Sequence, residues 1–136
     1  MSGMWGIFGG MSAASQAEME TATSNTVGVT PLNANWHPGV AKVWLKAAGD
    51  GSAITVSWNV TSITDTGTGI LDVTIATDFS SINYIIHATP PSPAPYSIKT
   101  TTAYIGAAGS FQMRCFDGSN ALIDPEYYMV TCFGDQ

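Results

Sequence analysis

Ile70-Leu71-Asp72-Val73-Thr74-Ile75-Ala76 decides the fold class. Leu71, Val73 and Ile75 alternate with Asp72 and Thr74. A repeat of two residues sends the apolar set to one face of a strand and the polar set to the other. Just before it, Asp65-Thr66-Gly67-Thr68-Gly69 carries the glycines and aspartate of a turn.

The same rhythm recurs on both sides. In residues 40–48 (VAKVWLKAA), Lys42, Trp44 and Lys46 share one face and Val43 and Leu45 the other. Gly49-Asp50-Gly51 is a turn signal, and Ile54, Val56, Trp58 and Val60 then line one face of a second strand, so the two pair as a hairpin. Downstream, residues 84–88 read as a strand, and residues 96–105 and 110–116 as a hairpin across Gly106-Ala107-Ala108-Gly109. Ile98, Tyr104, Ile105, Phe111 and Met113 are its expected core residues. Turns at Asp117-Gly118-Ser119-Asn120 and Asp124-Pro125 precede a last strand, residues 127–133. Pro90, Pro91, Pro93 and Pro95 bar a helix or central strand between them. About seven short strands with Gly, Pro, Asp and Asn in their loops predict an all-β domain over residues 36–136, an antiparallel β-sandwich or small barrel.

The 136 residues suffice for one domain with a core of its own, since folding at this size removes about two thirds of the unfolded chain's surface from water. Four basic residues against ten acidic ones, net charge -6, leave no patch to neutralise phosphates, so no nucleic acid is expected as a partner. No apolar run approaches the ~20 residues of a membrane span, and the N-terminus lacks the basic flank of a secretory signal. Charged residues make up 10% of the chain, well below the ~25% usual for soluble domains, which suits packing in assemblies and equally a low-charge extracellular monomer. Cys115 and Cys132 fall in the last two expected strands; two buried thiols are the commoner reading, a disulfide the rarer.

Residues 1–35 read as an attachment segment. Trp5, Ile7 and Phe8 stand among glycines, large apolar anchors on a backbone that is costly to order without a partner. Ser15 and Glu18 match the capping box of a short helix, about residues 15–23, with Met19 its one large apolar contact. Residues 25–35 hold Gly28 and Pro31 and are expected to be an extended linker. The joint to the β-domain is Trp36-His37-Pro38-Gly39-Val40-Ala41-Lys42-Val43-Trp44.

No catalytic constellation emerges. His37 and His87 are the two histidines, and neither has an acidic neighbour at triad or metal spacing, so no enzyme, metal or cofactor is expected. His37 reads as a turn or interface hydrogen bonder, and three copies on a trimer axis binding one ion is the alternative. The loops around Asp65 and Thr66, around Pro91, Pro93 and Tyr96, and around Ser119 and Asn120 are the candidate receptor-facing surface.

ASQAEME (residues 14–20), Thr23-Ser24, Val29-Thr30-Pro31 and the joint HPGVAKVW (residues 37–44), followed by SWNVTSITDTGTG (residues 57–69) and FSSINY (residues 79–84), resemble the small fibre proteins of tailed bacteriophages. The resemblance spans about residues 14–84, and its motifs are structural. It implies a virion component on the tail or capsid exterior, made in the host cytoplasm and commonly homotrimeric. Residues 1–35 would grip another virion protein, with Trp36, His37, Pro38 and Trp44 at the trimer joint and the β-domain facing the host surface and its glycans. With only about 35 residues ahead of the domain, a short spike or tip is expected rather than a long fibre. The alternative is a purely structural head fibre, decoration or adaptor subunit.

Overall fold

The structure, a computed structural model, describes residues 11–91 and 98–136. The chain divides into two compact units, Met1–Val40 and Ala41–Gln136.

The second unit is a β-sandwich. Its strands are β1 (Val43–Ala48), β2 (Ile54–Trp58), β3 (Val60–Gly67), β4 (Ile70–Ile75), β5 (Ile85–Thr89), β6 (Lys99–Ala107), β7 (Ser110–Asp117) and β8 (Tyr127–Phe133). They form two four-stranded sheets, ordered β2-β1-β8-β5 and β3-β4-β7-β6, and every recorded strand pair is antiparallel. The all-β sandwich expected from the alternation is therefore the fold, with eight strands among the described residues rather than about seven.

The additional strand comes from Asn59. Ile54, Val56, Trp58 and Val60 keep one alternation and read as one strand, but Asn59 adopts a left-handed backbone with φ 58°. Its side-chain amide donates to the carbonyls of Lys42 and Thr77, each at 3.1 Å, and its Oδ1 accepts from the Thr77 N–H at 2.7 Å. Asparagine tolerates this conformation better than most residues, and here one residue moves the chain between sheets. Val56 and Trp58 stay exposed on the first sheet, whereas Val60 packs against the core from the second.

The core lies between the sheets. β1 and β8 contribute Val43, Leu45, Ala47, Tyr128, Val130 and Cys132; β4 and β7 contribute Leu71, Val73, Ile75, Phe111, Met113 and Cys115. All are at most 3% exposed, and each large apolar one contributes about 1.5–3 kcal/mol by leaving water. Phe79 and Tyr84, from the β4–β5 connection, stack at 4.2 Å between centroids and close the core at one end. Ile105 packs on the core, but Tyr104 and Ile98, expected beside it, are 67% and 73% exposed. Neighbouring residues of a strand face opposite ways, so Tyr104 and Ile105 cannot both point inward. Lys42, expected on one face with Trp44 and Lys46, is 1% exposed, whereas Trp44 is 38% exposed.

Turn geometry fixes the hairpins. Between β3 and β4, Gly69 has φ 70°, and a Cβ there would lie 2.8 Å from the Cys115 carbonyl oxygen and from the Ile123 nitrogen. Asp65 and Thr66 belong to the end of β3 rather than to a loop, because pairing continues to Gly67 across an irregularity at Thr66.

In the first unit, α1 (Gln16–Thr21) has the expected capping box: Glu18 Oε2 accepts from the Ser15 N–H at 2.9 Å, and Ser15 Oγ accepts from the Glu18 N–H at 3.4 Å. The linker expected to be extended instead contains α2 (Pro31–Ala34), with Thr30 as N-cap. Pro31 stands in the first turn, where its missing N–H costs nothing, so it starts the helix. Asn33, 2% exposed, ties the unit together by donating to the carbonyls of Ala14 (3.0 Å) and Gly28 (3.4 Å).

Candidate functional site

The outer face of the β3-β4-β7-β6 sheet gathers polar side chains by register alone. Thr64 pairs with Asp72, Asp72 with Gln112 and Gln112 with Tyr104, so the four form one row across all four strands. At a strand spacing of about 4.8 Å the row is about 14 Å long. Gln112 donates through Nε2 to Asp72 Oδ1 at 2.8 Å and accepts at Oε1 from Arg114 Nε at 2.8 Å, which fixes the amide's orientation. The next row toward the β6–β7 turn is Ser62, Thr74, Ser110 and Ala107. A groove of about 410 Å³ runs over Gln112, Ser110 and Thr74, with Tyr104 and Gly106 on one side and Thr64 and Asp72 on the other.

The outer face of the β2-β1-β8-β5 sheet has the opposite character. Trp44 and Trp58 are cross-strand partners, and Lys46 lies between Val56 and Met129. Trp58 is 60% exposed and Ile85 70%. Trp44, Val56 and Met129 are exposed as well. Lys46 Nζ sits 4.1 Å from the centre of the Tyr127 ring, a cation held over an aromatic face. A groove of about 360 Å³ between Trp44, Met129, His87 and Thr131 is walled almost wholly by carbon.

The strand directions bring several turns to one end of the sandwich. The β1–β2 turn, the β3–β4 turn and the β7–β8 connection meet there: the Gly49 N–H donates to Glu126 O at 3.1 Å, and the Gly69 N–H donates to an Asp124 carboxylate oxygen. Ser119 and Asn120 lie in this connection and are exposed, with the Ser119 N–H donating to Asp117 Oδ1 at 2.8 Å. Pro91 is half-buried just after β5, which runs toward the same end. Asp65 accepts from the Gly67 N–H at 2.9 Å. Trp5, Ile7, Phe8, Pro93 and Tyr96 lie outside the described residues.

In the first unit Met19 is buried, Trp36 and His37 are half-buried and Pro38 is exposed. His37 Nδ1 accepts from the Gly39 N–H at 3.0 Å, a turn contact. Trp44 belongs to the sandwich, in β1.

Burial governs the ionisable groups of the core. It lifts the Cys132 thiol from its ordinary 9.0 to about 12 and raises Cys115 as well. It lifts the Tyr84 hydroxyl to about 12 and drives Tyr128 higher still. Both cysteines are free thiols, Cys115 in one sheet and Cys132 in the other. Among the described residues no three of His, Cys, Asp and Glu gather as a metal site, and no helix is long and apolar enough to cross a membrane.

No family model and no curated protein matches the chain. Among solved structures, it is similar to the crystal structure of the phiAB6 tailspike in complex with three-repeated oligosaccharides of Acinetobacter baumannii surface polysaccharide. The TM-score is 0.50 at 20% identity, covering 68% of this chain and 20% of the tailspike chain. At that identity the likeness is one of fold, and the chain spans one fifth of the tailspike's length.

Proposed function

We propose that the chain is a virion subunit of a tailed bacteriophage, a short fibre or spike component whose N-terminal unit serves attachment and whose β-sandwich meets glycans of the host surface. The observation that carries this reading is the tailspike-like fold over 68% of the chain. The resemblance of the leader, joint and first strands to small phage fibre proteins points the same way. The reading assigns recognition and assembly rather than catalysis; depolymerisation of a bacterial surface polysaccharide by the purified protein would overturn that part.

The subunit self-associates, as a homotrimer, through the outer face of the β2-β1-β8-β5 sheet. Exposed Trp44, Val56, Trp58, Ile85 and Met129 make this face costly to leave in water. Copies of a chain with net charge -6 repel one another, yet the sequences of these four strands contain no Asp or Glu. Like-charge repulsion is therefore least where the apolar gain is greatest.

Antibody labelling of intact particles in the electron microscope tests the placement. Label at the tail or its tip is expected, whereas label confined to the head would favour the head-fibre or decoration alternative. Absence of label from particles would overturn both.

A further inference from the structure

Resting on the reading of the chain as a surface-recognition subunit, we propose that the groove on the outer face of the β3-β4-β7-β6 sheet is the glycan subsite and that it takes a neutral pyranose. The sugar's C–H face stacks on the Tyr104 ring, and neighbouring ring hydroxyls reach Asp72 and Gln112.

Three observations lead there. Tyr104 exposes 67% of its surface on an edge strand, although an aromatic of that size ordinarily seeks burial. Next to it Gly106 leaves the groove open, and a Cβ there would stand 3.7 Å from the Tyr104 ring, an ordinary contact, so nothing in the fold demands glycine at that place. Opposite, the Asp72 and Gln112 side chains are already oriented by their own hydrogen bonds to each other and to Arg114. Asp72 keeps most of its acceptor capacity and Gln112 a second N–H, the donor and acceptor pair that adjacent sugar hydroxyls need. Ser110, Thr64 and Thr74 line the groove with further hydroxyls.

Charge decides the class of sugar. Among the described residues lining the groove Asp72 is the charged one; Arg114, on the same strand as Gln112, is engaged with it through its Nε and does not line the groove. An acidic sugar would set carboxylate against carboxylate in a partly enclosed site, whereas neutral hydroxyls donate to Asp72 without penalty. The outer face of the other sheet has the aromatics but few partners for hydroxyls, which leaves it suited to protein.

The test is NMR titration of the full chain with methyl glycosides of glucose, galactose, mannose and N-acetylglucosamine, and with methyl glucuronide as the acidic counterpart. At least one neutral glycoside should shift the amide signals of residues 72, 104 and 112, with affinity on the order of millimolar for a single ring. Tyr104→Ala and Gly106→Leu should each weaken it about tenfold or more with unchanged melting temperature, and Tyr104→Phe should keep it. The subsite is overturned if no glycoside shifts these signals, if the glucuronide binds best, or if the shifts fall on residues 117–125 or the other sheet. Those outcomes leave particle labelling untouched. Glycan binding at Tyr104 by a protein absent from particles would instead overturn the spike reading and leave the subsite standing.

Discussion

The inward faces of the two sheets are built alike, Val43-Leu45-Ala47 and Tyr128-Val130-Cys132 against Leu71-Val73-Ile75 and Phe111-Met113-Cys115, while their outward faces share almost nothing. One presents Trp44, Trp58, Val56 and Met129; the other presents Thr64, Asp72, Gln112 and Tyr104 in one row across the strands, with Gln112 bonded to Asp72. The period of two makes this possible, because half the residues of each strand answer to the core and the other half are free to answer to a partner. Stability is thus written in one half of the alternation, and the other half is left free to differ between the sheets.

The largest effects should come from the half that the sheets share. Leu45→Ala in β1 and Leu71→Ala in β4 remove side chains 3% and 0% exposed, and each should cost about 2–5 kcal/mol in denaturant unfolding. Near-equal losses are expected of one common core. A loss below about 1 kcal/mol for either would mean that its sheet does not depend on the other, and the sandwich would not be a single cooperative unit.

High pH probes the same core from both sides. The folded state holds the Cys132 proton to about 12, whereas the unfolded thiol releases it near the ordinary 9.0. Between those values the unfolded chain binds fewer protons, so stability falls as pH rises through that window and is unaffected by this group below it. Tyr84, raised to about 12 from 10.0, adds to the loss at the upper end. Cys132→Val should flatten the decline between pH 9 and 10 in a series of urea melts. An unchanged decline would show that Cys132 is not the group responsible. Neither thiol should react with a disulfide reagent before unfolding.

What was legible in the sequence follows the same division. Leu71, Val73 and Ile75 announced their strand because burial on one face enforces the alternation, and the turn glycines marked its start. The split at Asn59 was hidden because apolar residues keep their spacing straight through it; the one signal was an asparagine, a residue at home in the left-handed region, standing between Trp58 and Val60. Pro31 read as a breaker although Thr30 before it and Asn33 after it form a capping box. The groove was not legible at all, since Asp72 and Gln112 are 40 residues apart and only strand register unites them with Thr64 and Tyr104. Tyr104 read as core for want of that register.

A smaller change should separate the outward faces. Val56→Ser with Trp58→Ser alters residues 44% and 60% exposed, so the isolated subunit's stability should shift by no more than about 1 kcal/mol. Its self-association, followed by sedimentation, should weaken at least about tenfold, as expected of central aromatic contacts. Tyr104→Ala on the other sheet should leave sedimentation unchanged. If the two results were exchanged, the assignment of faces would be reversed.

The smallest effects come from two core tyrosines that differ in their partners. The Tyr84 hydroxyl lies 3.1 Å from the Ala107 carbonyl and 3.0 Å from that of Ser110, donating across the β6–β7 turn. Tyr84→Phe should therefore cost about 1 kcal/mol, removing the one O–H donor that the two carbonyls share. The Tyr128 hydroxyl is as deeply placed but has no partner among the described residues, and Thr101 Oγ1, from the opposite sheet, is in the same position. Their desolvation is then uncompensated, so Tyr128→Phe and Thr101→Val should each be neutral or stabilising by up to about 1 kcal/mol. A loss of similar size in Tyr128→Phe would mean that a buried water satisfies that hydroxyl. The space between the sheets would then be a wet seam at that point, and the likeness of the two inward faces would stop there.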